Sequence, residues 1–505
     1  MISSKSTFVP RICYEIFVRS FCDSNGDGIG DLNGITSKLD YLHDLGIEAL
    51  WLTPVHPSPS YHKYDVIDYY DIEPEFGTLA DFKNLLAEAH QRGIAVYLDL
   101  IVNHTSTLHP WFKEARKSAK NTYRSFYWWM TPPQIDALGI KERDISDDSQ
   151  VVYPWHQNFD DPEKYYGMFY KGMPDLNYHS QELRTEIERI MRFWLMEIGV
   201  DGFRLDAARH IYPDWEKENN AEFWDYFART IKSINPQAFT VGEVWAETEE
   251  VAPYFKHLDA TFHFDLSFAL QRIIIQEKDE ELVKKLIASY TLFEKYNPLF
   301  VDAIMLTNHD QERIGSVVFN DQDKIKLAAS ILLTLPGQPY IYYGEEIGML
   351  GTKPDPYIRE PFLWSEEVTG KASWINAQFT TLQTVKPLSE QQKDKLSVFQ
   401  HYRRLIHLRK KEPALSQIFA PNLLPVNLQD DGILAFFRPH VDRSLIVVHN
   451  LSSEEKNITL PADKADFRHL IFTTSPEQEL YWQSGSLLPF STVILSASPN
   501  AAPEQ

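Results

Sequence analysis

The chain has 505 residues and a formal net charge of −22, which argues against nucleic acid or an anionic membrane as partner, because both need positive surface. Hydrophobic residues make up 43%, enough for a large core of two or three domains rather than a disordered chain. Aromatics reach 13%, and aromatic faces suit stacking on sugar rings, although a single Trp is more often core.

In chain order, strand-like apolar runs are expected at Ile12–Phe17, Ala49–Leu52, Ile94–Leu100, Gly202–Asp206, Phe239–Glu243, Ala260–Phe264, Ala303–Leu306 and Tyr340–Tyr343. Helical periodicity is expected at Ile35–Leu45, Leu79–Arg92, Glu182–Glu197, Ala221–Ile231, Glu280–Leu292, Ile325–Leu335 and Phe399–Lys410. Eight strands alternating with helices predict a parallel (β/α)8 barrel of the TIM type. About 100 residues separate the third strand from the fourth, where such a connection usually needs a handful. The Trp-, Tyr-, Pro- and Asp-rich stretch 104–177 therefore reads as a subdomain inserted over the barrel mouth. The barrel takes 1–103 and 178–412, and 413–505 reads as a C-terminal antiparallel β-sandwich, from alternating runs such as Ser444–His449.

Cys13 and Cys22 are one short strand apart, so a disulfide between them is not expected. The N-terminus has no apolar leader and no stretch approaches a membrane span. A cytoplasmic protein without membrane partner is expected, or a secreted or periplasmic one if a leader has been removed.

Four acidic segments carry the chemistry: Asp99–His104, Gly202–Asp206, Val241–Val244 and Thr307–Asp310. Each lies at or just after an apolar run, and the C-terminal ends of barrel strands are where active sites of this architecture form. Arg204 shares a strand face with Asp206, because side chains alternate, and holds that carboxylate ionised as a nucleophile needs. A buried ion pair that only secures the barrel is the bland reading of this couple taken alone. Glu243 lies between Val241 and Val244, and apolar surroundings raise a carboxyl pKa towards that of a proton donor. Asp310 adds a third carboxylate, which raises Glu243 further by like charge. His104 and His309 are then expected as neutral donors to sugar hydroxyls.

These segments, in this order and spacing, resemble the α-amylase superfamily of retaining glycoside hydrolases, and the similarity runs from Tyr14-Glu15-Ile16-Phe17 to the C-terminal sandwich. The resemblance implies that Asp206 is the nucleophile, Glu243 the general acid/base and Asp310 the stabiliser of the distorted ring. It assigns substrate binding to Tyr64, His104, Arg204 and His309, with Tyr64 as the aromatic platform and Asp99 orienting Arg204. Arg209 and His210 resemble the Lys-His pair by which amylases hold the leaving glucan. The family usually has Gly where Lys63 stands.

A second motif, Asp23-Ser-Asn25-Gly-Asp27-Gly-Ile29-Gly-Asp31, sets oxygen donors at alternate positions as a Ca²⁺ loop does. It resembles the calcium site after the first strand of oligo-1,6-glucosidase-like members, with Asp23, Asn25, Asp27, Ile29 and Asp31 as ligands. A solvated Asp/Gly turn is the alternative. A second calcium would use Asn103 and the backbone of His210, its Asp partner within Asp144–Asp161 unidentified.

Met173-Pro174-Asp175-Leu176-Asn177 is similar to the group intermediate between oligo-1,6-glucosidases and neopullulanases. Exo-acting glucosidases carry an Asp at the position of Tyr61 to grip a terminal glucose. Its loss points to endo action on α-1,4 bonds of starch and maltodextrins; a monomer is expected. The rivals are an α-glucosidase or a 4-α-glucanotransferase acting on malto-oligosaccharides, and, from another class, a non-catalytic barrel ectodomain of an amino-acid transporter. The last needs a spanning helix, and none is expected from these residues.

Overall fold

The structure, a computed structural model, describes residues 9–139, 143–145, 150–159, 161–367, 370–419 and 422–497, without the side chains of 143–145 and 150–152. The first eight residues, on which the reading of the N-terminus partly rests, and the last eight lie outside this set.

Eight parallel strands close into a barrel: β1 (Cys13–Ile16), β2 (Ala49–Leu52), β3 (Ala95–Leu100), β4 (Gly202–Leu205), β5 (Phe239–Gly242), β6 (Ala260–Phe262), β7 (Val301–Met305) and β8 (Gln338–Tyr342). Each pairs with its neighbour in sequence, and β8 closes on β1 with Cys13 opposite Tyr340. Apart from Ala95 at the start of β3, the strands are buried, as a sheet covered on its outer face requires.

Alternation along the strands creates a sharp division inside the barrel. The lower interior is an apolar plug that includes Cys13, Trp51, Tyr97, Val241, Phe262 and Tyr340. Two residues further along three of these strands stand Glu15, Asp99 and Glu243, and β4 contributes Arg204 and then Asp206. The charges therefore share one end of the plug, the C-terminal end of the strands. Asp99 and Arg204 are direct cross-strand neighbours.

Between β3 and β4 lie a three-stranded antiparallel sheet (Trp129–Met130, Lys164–Tyr166, Trp155–Gln157) and a hairpin (Arg143–Ile145 with Gln150–Val152). The inserted sheet returns to the barrel through His104, which bridges to Asp175. The C-terminal part is one five-stranded antiparallel sheet with a two-stranded ribbon, Lys456–Asn457 against Ser486–Leu487. The second layer of the expected sandwich is thus only two strands wide. The sheet uses both faces: Leu434, Phe436, Val447 and Ile494 join the main core, while Ile433, Ala435, Ile446, Val448 and Val493 pack with Leu487 of the ribbon. A large core on one side leaves only a ribbon's width to cover on the other.

The expected helix over Ile35–Leu45 is two helices, Leu32–Ser37 and Leu39–Leu45, broken at Lys38, where φ is −107° and ψ 4°. The first begins earlier than expected because Asp31 caps it, accepting the N–H of Gly34. The helix Gln181–Arg192 runs on as a wider turn over Phe193–Ile198 and ends at Gly199, φ 96°. Cys13 and Cys22 are both buried free thiols. No helix among the described residues is long and apolar enough to cross a membrane.

Candidate active site

Arg204 is the centre of the charged layer. It is fully buried, and a buried guanidinium is tolerated only when its donors meet acceptors. Nη1 donates to Asp206 Oδ1 at 2.6 Å and to Asp99 Oδ1 at 2.9 Å, and Nη2 lies 2.8 Å from Glu243 Oε1. One planar cation thus spans the three strand ends that carry Asp99, Asp206 and Glu243, which a lysine could not do.

The carboxylates differ in environment. Glu243 also accepts the N–H of Ala207 at 3.0 Å. Burial pushes its pKa up to about 7; Arg204 opposes the rise, and Asp206 and Asp310 add to it. Asp99, 0% exposed, is raised to about 6 by burial, against the pull of Arg204. Its Oδ2 accepts from Trp51 Nε1 at 3.2 Å and Tyr64 Oη at 3.1 Å. Asp99 therefore lies beneath the site and ties Arg204 and Tyr64 to Trp51 of the plug rather than facing substrate.

Asp310 follows β7. Burial works against its charge, but His309 and Arg359 overcome this and hold its pKa well below the ordinary carboxylate range. Arg359 Nη2 donates to Asp310 Oδ1 at 2.7 Å and His309 Nε2 lies 3.0 Å from Asp310 Oδ2. The expectation of a neutral His309 is corrected here. Burial alone would lower its pKa, yet Asp310 and Glu15 raise it to about 10, and Glu15 Oε1 sits 2.5 Å from Nδ1. His309 is a charged imidazolium between two carboxylates. His104 does follow expectation, since burial lowers its pKa and keeps it neutral.

Tyr64 lies over this layer. Its ring stacks on His309, 5.4 Å between centroids and 8° between planes, and Arg204 is 5.7 Å from it. Tyr61 occupies the position expected to lack a carboxylate, and its hydroxyl accepts from Arg359 Nη1 at 2.8 Å. Its ring stacks on Trp374 at 5.3 Å and 21°, with Phe17 6.3 Å away.

Arg209 and His210 stand after β4 as expected, at the rim. Arg209 pairs with Glu250 at 2.7 Å and donates to Trp245 O at 3.3 Å. His210 meets the edge of Phe169 at 6.0 Å, and Phe169 meets His104 at 5.5 Å. Trp245 stacks on Phe264 at 4.4 Å, next to the part-exposed Phe268.

Sequence reasoning missed Arg359, Trp374, Phe169 and the Glu15 contact. Glu15 had a readable signal, a carboxylate inside an apolar strand. Arg359 and Trp374 lie in a long stretch after β8 without periodicity, and Phe169 sits in the insertion, where aromatics abound.

In the loop expected to hold calcium, the acidic side chains accept backbone N–H groups. Asp23 Oδ1 accepts the N–H of Asn25 and Gly26, and Oδ2 that of Gly28. Asp31 serves Ser24 and its helix cap, and Asp27 takes Ile29 N and Asn25 Nδ2. Among the described residues no three acidic, His or Cys side chains converge to hold an ion. These residues are therefore not arranged as a coordination shell; Asx-type turns occupy their oxygens. At the second expected site, Asn103 Oδ1 is buried with no partner among the described residues. Asp161 is engaged by Arg124, and the side chain of Asp144 lies outside the described residues.

Comparison with known proteins decides the family. The sequence profile described as "Alpha amylase, catalytic domain" matches residues 15–417. The chain belongs to the α-amylase family. A second profile, "Alpha-amylase SusG C-terminal domain", matches residues 433–494. "Alpha-amylase 3" of Dictyoglomus thermophilum is 42% identical over 96% of this chain and 92% of its own length. "4-alpha-glucanotransferase" of Thermotoga neapolitana is 34% identical over 88% of this chain and 96% of its own. The crystal structure of the α-amylase from H. orenii superposes with a TM-score of 0.86, at 39% identity over 96% of this chain and 99% of that one. This α-amylase family member is accordingly a glycoside hydrolase with the barrel and C-terminal sheet of its relatives.

Proposed function

We propose that the chain hydrolyses internal α-1,4 bonds of starch and maltodextrins with retention of configuration. The observation that carries this reading is the single guanidinium of Arg204 bridging Asp206 and Glu243. It keeps two carboxylates close, as a covalent mechanism needs, while burial takes Glu243 to about 7. In the first step Asp206 attacks the anomeric carbon and forms an ester. Glu243 gives its proton to the leaving glycosidic oxygen. In the second step Glu243, now the base, takes a proton from water, and the water oxygen displaces Asp206 from the same carbon. Asp310, kept ionised by His309 and Arg359, accepts hydrogen bonds from hydroxyls of the distorted ring, which stacks on Tyr64. His104 donates to the same sugar, and Arg209 and His210 meet the leaving chain.

Endo action is supported by Tyr61. Where a carboxylate would bind and end the chain, a phenol engages Arg359, and the Tyr61–Trp374 pair offers an aromatic face for further glucose units. Chromatography of a malto-oligosaccharide digest tests it. A spread of maltose to maltotetraose from longer malto-oligosaccharides is expected, and glucose alone from the non-reducing end would overturn it. Transfer is the second reading, favoured by the glucanotransferase relative and by Phe169, Trp245 and Phe268 at the rim, which could hold a sugar acceptor. Products longer than maltotriose, formed from maltotriose, would mark it.

Calcium at Asp23–Asp31 is proposed from its sequence pattern alone: a cation would have to share oxygens now turned to backbone N–H groups. The orphaned Asn103 Oδ1 supports a second ion. A rise of the melting temperature on adding Ca²⁺ to chelator-treated protein supports binding, and an unchanged melting temperature speaks against both sites.

A further inference from the structure

Lys63 stands at φ 67°, in the left-handed region where L side chains are uncommon and strained. It is also a lysine only 4% exposed, and lysines are seldom buried unless paired. Its ammonium donates to Ser58 O at 3.1 Å and lies 2.9 Å from Glu73 Oε2 and 3.2 Å from Glu75 Oε2. Glu75 also pairs with Arg19, so two cations and two carboxylates form a neutral cluster. The Lys63 N–H donates to Ser60 Oγ at 3.1 Å, and Asp65 accepts from Ser58 and Ser60. The ammonium thus ties segment 58–65 to segment 73–75, and three acceptors over-determine a turn that would otherwise relax.

Two parts of the sugar site depend on this tie. Tyr64, the next residue, carries the ring stacked on His309. On the other side Arg19 lies 5.8 Å from the Trp374 ring, and Trp374 stacks on Tyr61. One buried ammonium is linked to Tyr64 through a peptide bond and to the Trp374–Tyr61 pair through Glu75 and Arg19.

We infer that Lys63 is a positioning residue of the glucan site: its ammonium locks a strained turn so that Tyr64 and Tyr61 meet the substrate in fixed places. The inference rests on the platform role proposed for Tyr64. Lys63 itself does not touch the sugar.

Steady-state kinetics on maltopentaose, run well below the melting temperature of each variant, test it. Lys63→Met removes the charge and keeps a side chain at positive φ. Lys63→Gly also relieves the backbone and stays foldable if the methionine variant does not. Lys63→Arg restores a cation. Both uncharged variants are expected to lose kcat on the order of tenfold, within what a small displacement of a binding group costs, with KM changed far less, and Lys63→Arg to recover much of the loss. A purely structural lysine would lower the melting temperature and leave kcat and KM as in the wild type. That result, with Tyr64→Ala impaired, overturns the inference alone. Wild-type kinetics for Tyr64→Ala would overturn the platform reading, and this inference with it.

Discussion

At the scale of single residues the chemistry follows from who shares Arg204. That Asp206 and Glu243 share one end of the barrel could be read from their positions after apolar runs, because strand ends in a parallel barrel meet at one mouth. The charge of His309 was legible only in part: Asp310, which raises it most, is the next residue, but Glu15 on the other ring nitrogen lies 294 residues away in sequence. Arg359 was unreadable for the same reason: its value lies in reaching Asp310 and Tyr61 at once, and no local pattern announces that. The rate should follow Glu243. Its carboxyl must be protonated to donate, so kcat/KM is expected to fall through pH values above about 7, close to tenfold per unit once past it. A pH profile on maltopentaose checks this; a flat profile to pH 9 would assign the proton elsewhere. Arg204→Lys offers one point charge where a fork is needed. A loss of kcat/KM on the order of a hundredfold is expected, with the fold kept by circular dichroism.

At the scale of elements, the eight strands were legible because each is a short apolar run bounded by turn residues, and the expected and observed cores of β2 through β5 nearly coincide. The boundaries that failed did so for local polar reasons. Asp31 started a helix early by capping it. The helix Phe264–Gln276 escaped notice because its apolar run continues that of β6, so no turn signal separates them. Packing between elements holds a further surprise. The helix Gln322–Thr334 has its C-terminal carbonyls satisfied by two buried arginines from other elements. Arg409 donates to Leu333 O, Leu335 O and Gly337 O, and Arg438 to Thr334 O. Arg438 comes from the C-terminal sheet and so fixes it to the barrel. Arg409→Met strands three carbonyls in the core and is expected to cost about 3 kcal/mol or more, read as a lower urea midpoint.

At the scale of the whole molecule, barrel, insertion and C-terminal sheet were legible in outline from one overlong connection and a change of periodicity. The ribbon and the strand Phe467–Thr473 were not, since the latter is half exposed and mixed in composition. Stability should carry a signature of the buried Glu345. Burial raises it to about 8 from an ordinary 4.5, against the hydrogen bond from Tyr402. The folded chain keeps this proton while the unfolded chain releases it, so its contribution is full below about pH 4.5 and lost progressively towards about 8. Glu345→Gln can still accept from Tyr402 and is expected to flatten the fall of melting temperature between those limits; an unchanged slope would remove Glu345 as its cause. The central claim is a covalent intermediate on Asp206, and the configuration of the first-released product tests it most directly. Proton NMR of a fresh maltopentaose digest should show the α-anomer first, with mutarotation to β following. Initial release of the β-anomer would mean a single displacement by water and would contradict the account.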